Sequence, residues 1–220
     1  MRLFSICAGA ALLAFTAAQA ADNAGAARTL NVTFPEAVEI ELALSGGPAH
    51  LRDGATVYVY GAKGFNKVRD GSNGFTCLLN RDGFLYGSIA FKPTCWDPEG
   101  ASSYVPVMLR AGALLAAGKT ADEVRAEISE GFRTGAFHRP AKTGIAYMIA
   151  GDVQLEPGSG KVTKTQFPGH YMIYAPGVTN ADVGYVPGKS GAADPSIFAG
   201  GAGGAELAYL IAVPHHGGAP

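Results

Sequence analysis

Three observations predict an α+β fold, an antiparallel β-sheet with a helical pair packed on one face. Residues 56–60 alternate with period two and open a run of strand and turn signals through residue 80, residues 105–135 repeat apolar positions at helical spacing, and strand-like segments return at 145–150, 170–175 and 207–213. Strands on both sides of a helical pair imply one sheet built from both halves of the chain. Cys77 and Cys95 add one expected disulfide.

The chain opens with Arg2, an apolar run over 3–15 and the small-residue site Ala18-Gln19-Ala20. That order is the pattern of a secretory signal peptide cleaved after Ala20. An uncleaved anchor needs roughly 18 or more apolar residues, whereas Thr16 and Gln19 interrupt this run. A lipoprotein needs a cysteine just after the apolar core, and Cys7 lies near its front. Cleavage discards Cys7 and leaves an even pair in an oxidising compartment, so a periplasmic or secreted location is expected.

Residues 21–34 read as a small-residue lead-in to a single exported domain spanning 21–220. Residues 35–44 fit a short helix, with Pro35 at its start and Gly46-Gly47 closing it, and fit a strand equally well through Val38, Ile40, Leu42 and Leu44. Strands at 56–60, 65–69 and 75–80, joined by a turn at 61–64 and by Asn73-Gly74, read as an antiparallel meander. Cys77 shares a strand face with Phe75 and Leu79. Cys95 lies in Pro93-Thr94-Cys95-Trp96-Asp97-Pro98, which reads as a rigid loop. A bridge would pin that loop to the sheet, and its loss would free the Trp96 loop first.

Val105, Met108, Leu109 and Leu115 mark the first helix, with Pro106 in its first turn and Gly118 at its end. Thr120-Ala121-Asp122-Glu123 is a capping box opening the second, whose apolar stripe is Val124, Ile128 and Phe132, and which Gly135 stops. Residues 207–213 are apolar on both faces, as in a covered central strand. Residues 161–166 suit an edge strand or a solvated loop. A Gly-, Pro- and Ala-rich stretch, 176–205, has no clear period; segments of that length are usually functional or disordered.

The full chain carries 17 basic and 18 acidic residues. Removing the signal subtracts only Arg2, so the mature net charge is −2. With no basic cluster, nucleic acid and anionic membrane surfaces are excluded as expected partners. No second apolar segment reaches membrane length, so a soluble protein is expected.

The candidate site centres on His170, in Pro168-Gly169-His170-Tyr171-Met172-Ile173-Tyr174. An extended chain sends His170, Met172 and Tyr174 to one face. A hydrogen-bonded strand histidine is the plainest reading. A general base assisted by Tyr174 or Asp152 comes second. A soft copper ligand, from the imidazole and thioether of His-x-Met, comes third. Tyr147, Met172 and Arg81 are the candidate ligand-binding residues. Arg81-Asp82 and Arg69-Asp70 also read simply as turn ion pairs. Arg133 and His138 suit the helix macrodipole at the second helix's end. His215 and His216 lie in a Gly- and Pro-rich tail. Gly118-Lys119-Thr120 mimics the end of a phosphate loop, but Ala113 stands where its first glycine belongs. The sequence indicates no cofactor and no metal.

Gly74-Phe75-Thr76-Cys77-Leu78 with Arg81, Pro93-Thr94-Cys95, Gly131-Phe132-Arg133-Thr134-Gly135, Ala146-Tyr147-Met148 and the 170–176 segment resemble a family of exported bacterial proteins with no assigned activity. The resemblance implies an envelope or extracellular location and assigns no residue a role. The leading expected function is binding of a small molecule or cell-envelope component, from aromatic strand residues (Tyr58, Tyr60, Tyr147, Tyr174) beside a glycine-rich cover. The alternatives are a hydrolase or isomerase using His170 as acid/base, and a structural or interaction module of the envelope.

Overall fold

The computed structural model of the protein describes residues 7–191 and 194–214. It is an α+β fold around an eight-stranded, mostly antiparallel sheet. In chain order the elements are helices α1 (Cys7–Leu30), α2 (Glu36–Ser45) and α3 (Ala49–Arg52), strands β1 (Thr56–Gly61), β2 (Gly64–Arg69), β3 (Thr76–Asn80) and β4 (Lys92–Trp96), and helices α4 (Pro98–Ala116) and α5 (Ala121–Thr134). Strands β5 (Ile145–Met148), β6 (Asp152–Leu155), β7 (Val162–Phe167), β8 (His170–Tyr174), β9 (Ser196–Phe198) and β10 (Tyr209–Ala212) follow. The sheet order is β2-β1-β3-β4-β5-β8-β10-β9, and β6 and β7 form a separate hairpin. Among the described residues, no helix is long and apolar enough to cross a membrane.

Helix α1 runs unbroken through Ala20 to Leu30, so 21–30 is helical where the sequence reads only as a lead-in. Beyond Ala20 it docks through Asn23, Ala26 and Leu30, all buried. Residues 36–45 resolve to a helix, because Glu39 turns inward to meet Arg81 while Ala43 packs on the far face of the sheet.

The first three strands do not form a meander. β1 and β2 are an antiparallel hairpin, but β3 lies parallel to β1 on its other side. The chain leaves β2 level with the start of β1, and residues 70–75 need only pass beneath it. That crossing is held by the Ser72 and Asn73 amides donating to the Gly54 carbonyl and by the Thr56 amide donating to the Phe75 carbonyl.

The cysteines are bonded. Yet Cys95 does not sit in a loop: 92–96 is a central strand in which Cys95 lies directly opposite Cys77. The bridge therefore joins two neighbouring strands beneath α2, with Ala43, Ala55 and Val57 around it. Trp96 is almost wholly enclosed on the other face, its Nε1 donating to the Tyr209 hydroxyl at 2.8 Å. Replacing both cysteines (C77A/C95A) should lower stability by about 3 kcal/mol, from restored chain entropy in the unfolded state. A denaturant titration should show one global transition moved to lower denaturant. Early release of Trp96 fluorescence from an otherwise intact sheet would contradict this geometry.

Helix α4 starts at Pro98, capped by Asp97, so Pro106 lies in its interior and not in its first turn. Helix α5 has its full capping box at Thr120 and Glu123 and ends on Gly135 in the left-handed region, as the sequence predicts. The Arg-Asp strand ends do not pair with one another. Asp70 pairs with Lys67, Arg69 donates to the backbone of α3 and Ala55, Arg81 pairs with Glu39, and Asp82 pairs with Lys92. Residues 161–166 join an exposed strand, β7.

Candidate functional site

Strand register decides which residues meet. In antiparallel neighbours, directly opposed residues share a face, and the face alternates along each strand. The pairs Asn80↔Lys92, Leu78↔Thr94 and Thr76↔Trp96 join β3 to β4. Trp96↔Ala146 continues the row to β5, and Met148↔His170 and Ala146↔Met172 carry it to β8. Tyr209↔Tyr174 and Ile211↔Met172 bring in β10. Helix α4 covers one end of this face. At the other end lies a cavity of about 280 Å³, lined by Asn80, Asp82, Lys92, Asp152, His170 and Met172 among others.

One side of the cavity is charged. Lys92 Nζ donates to Asp82 Oδ1 at 2.7 Å, and both side chains are more than nine-tenths buried. Asn80 Nδ2 also donates to Asp82 Oδ1, while the Ala202 amide donates to Asp82 Oδ2 at 3.2 Å. Asp82 thereby ties the glycine-rich segment to the sheet. Burial pulls the Lys92 amine down, but Asp82, Tyr86 and Asp152 outweigh it and hold the ammonium charged well above the ordinary lysine range. The Tyr86 and Phe198 rings flank that ammonium at 4.5 and 5.5 Å.

His170 is buried, with Nδ1 2.8 Å from the Pro168 carbonyl oxygen, so Nδ1 carries the hydrogen and Nε2 the lone pair. Nε2 has no hydrogen-bond partner among the described residues and is not sealed from the cavity that His170 lines. Burial lowers the pKa of His170, which favours the neutral ring. Burial also raises the carboxyl of Asp152 above the usual aspartate value, opposed by Lys92 and His170. The group thus offers a neutral acceptor, a carboxyl with a raised pKa and a fixed ion pair inside apolar walls of Met148, Phe167, Ile197, Phe198 and Ile211.

The sequence-predicted residues divide. His170, Asp152 and Met172 line the cavity together. Tyr174 is not among its lining residues, although it shares their face, because it stands under α4. Its hydroxyl donates to Asp97 Oδ1 at 2.8 Å, and its ring packs against Tyr104 at 4.5 Å. A Cβ at Gly100 would collide with that hydroxyl, so the first turn of α4 carries a glycine there. Tyr147 is one residue out of phase with Met148: it lies opposite Cys95 on the other face and packs edge-on against Tyr171.

Arg81 is not exposed to any ligand. Its Nη2 donates to both Glu39 oxygens at 2.9 Å, its Nη1 donates to the Leu30 carbonyl, and the rings of Phe34, Tyr60 and Phe91 surround the guanidinium. Burial pushes the Glu39 carboxyl up and the Arg81 guanidinium down, and each partner opposes the shift of the other. Arg81 is therefore a tie among α1, α2 and β3.

Sequence reasoning missed Lys92, Asp82 and Met148. For Met148 the strand phase held the signal, since position 148 alternates with Tyr147. For Lys92 nothing local did, because it adjoins 93–98, which reads as a rigid loop. A wider groove of about 880 Å³ runs between α5 and residues 199–206. It is the larger depression, but two of its arginines are already committed, Arg133 to Glu130 and Arg139 to Glu206. Its third, Arg125, is held by Asp122 and the Leu85 carbonyl. The smaller cavity carries the chemistry. His215 and His216 lie outside the described residues. In comparisons with protein-family models, curated proteins and solved structures, nothing matches this chain.

Proposed function

We propose that the protein is exported, cleaved after Ala20, and binds a small molecule in the cavity between the sheet and the 176–205 segment. One observation carries this reading: apolar walls converge on Asn80, Asp82, Lys92, Asp152 and His170 in a space of about 280 Å³. That is just under the ~300–1,000 Å³ typical of small-molecule sites, and its mix of apolar lining with a few placed polar groups is theirs too. The ligand is a compact molecule with an apolar body. Its polar end donates to His170 Nε2 and meets the Asp152 carboxyl. Strand β9 contributes Ser196, Ile197 and Phe198 to the lining, so the glycine-rich segment has the position of a cover. Cleavage after Ala20 would keep the docking contacts of Asn23, Ala26 and Leu30.

The test is mass spectrometry of protein purified natively from its own compartment, beside a Met172→Trp variant that fills the cavity. A small molecule released on denaturation from the wild type and absent from the variant supports the reading. No copurified species, or equal amounts from both proteins, overturns it. A second reading, acid/base catalysis, is favoured by the unpartnered Nε2 beside Asp152. It predicts that a bound compound is chemically changed by the wild type and returned unaltered by His170→Gln; unaltered return by the wild type rejects it.

A further inference from the structure

We propose that Met148, His170 and Met172 form a binding site for a soft monovalent metal ion, copper(I). The proposal goes beyond organic-ligand binding and requires only that solutes reach the cavity; because both occupants would use His170 Nε2, copper(I) and the organic ligand exclude one another there. Its basis is a register that local sequence does not reveal. His-x-Met alone supplies two donors, but the pairing of β5 with β8 puts Met148 directly opposite His170, and Met172 follows two residues later on the same face. Opposed residues hold their Cβ atoms about 4.5–5.5 Å apart and diagonal ones within about 7–8 Å. Methionine's three rotatable bonds let both sulfurs turn toward one imidazole nitrogen. All three side chains line the same cavity and are at least nine-tenths buried.

The imidazole is oriented as a metal ligand requires. Its Nδ1 is bound to the Pro168 carbonyl at 2.8 Å, which directs the Nε2 lone pair away from the backbone, and Nε2 has no other partner among the described residues. Metal-bound histidines usually have such a bond on the second ring nitrogen. Two thioethers and one imidazole select copper(I) over harder divalent ions. Among the described residues, no group of three or more His, Cys, Asp or Glu could hold a metal instead. Charge agrees. The carboxylates of Asp82 and Asp152 face a single lysine, Lys92, around the cavity, a formal −1 that one monovalent cation balances.

The experiment is an anaerobic copper(I) titration against a chromophoric copper(I) chelator, done with full-length mature protein carrying H215A/H216A so that tail histidines cannot contribute. One equivalent should be withheld from the chelator, with X-ray absorption showing sulfur and nitrogen scatterers in a two-to-one ratio. Met148→Leu/Met172→Leu should weaken retention by about 100-fold or more, beyond the cost of losing a hydrogen bond to a ligand. This double variant conserves volume and should keep the apo melting temperature nearly unchanged; if it fails to fold, His170→Gln carries the same comparison. Complete loss of copper to the chelator, or equal retention by the variant, overturns the proposal. So does zinc(II) bound as tightly as copper(I).

Discussion

Glu39→Gln should destabilise the protein by about 3–5 kcal/mol, as expected when a buried ion pair loses one partner. The guanidinium of Arg81 is about 99 % enclosed and, among the described residues, has Glu39 as its only acidic partner, with the Leu30 carbonyl as a further acceptor. Removing the carboxylate leaves a cation in a box of Phe34, Tyr60 and Phe91 with no route to water. Glu39 Oε1 also accepts from the Tyr60 amide at 2.8 Å, so the same carboxylate anchors β1. The double variant Glu39→Gln/Arg81→Met should recover most of the loss, because the uncompensated charge is then gone. Denaturant midpoints of the two variants test this. A single variant within about 1 kcal/mol of wild type would show that the pair contributes little.

Raising the pH above 10 should unfold the protein cooperatively. Of the nine tyrosines, Tyr60 and Tyr86 are pushed up to about 12, and Tyr104, Tyr174 and Tyr209 are raised as well, burial being the largest cause in each. A raised folded value means that the native state keeps a proton that the unfolded chain gives up. The associated stability is complete below the ordinary tyrosine value near 10 and is lost as pH rises through the folded values. Each such group removes about 1.4 kcal/mol per pH unit in that window. Lys92 acts with the same sign, since Asp82 holds its proton beyond the usual lysine range. Tyrosinate absorbance should rise in a steep step that coincides with loss of near-ultraviolet circular dichroism. A gradual titration of all nine tyrosines with that dichroism intact would contradict the burial of this cluster.

Both predictions rest on residues whose local sequence does not announce them. Arg81 beside Asp82 reads as a turn ion pair, yet each finds another partner. Glu39 lies 42 positions from Arg81, and only the docking of α2 against the sheet brings them together. Lys92 adjoins 93–98, a proline-flanked segment that reads as a rigid loop, and Pro93 argues against a strand interior there. Tyr147 and Met148 show how fine the distinction can be, since one step in strand phase separates the disulfide face from the cavity.

By itself the sequence determined what short-range chemistry controls. Helix α5 with its capping box and terminal glycine, the strand periods, the common face of His170, Met172 and Tyr174, and the Cys77–Cys95 pairing were all legible because each depends on neighbours or on compartment. Tertiary structure alone decided the strand order, the parallel pairing of β1 with β3, and which end of the shared face α4 would cover. It also decided that Met148 stands across from His170 and that Lys92 meets Asp82 beneath the glycine-rich segment. The physical reason is range. Backbone periodicity tells each residue which way to face, whereas neighbours across a sheet are chosen by packing between segments tens of residues apart.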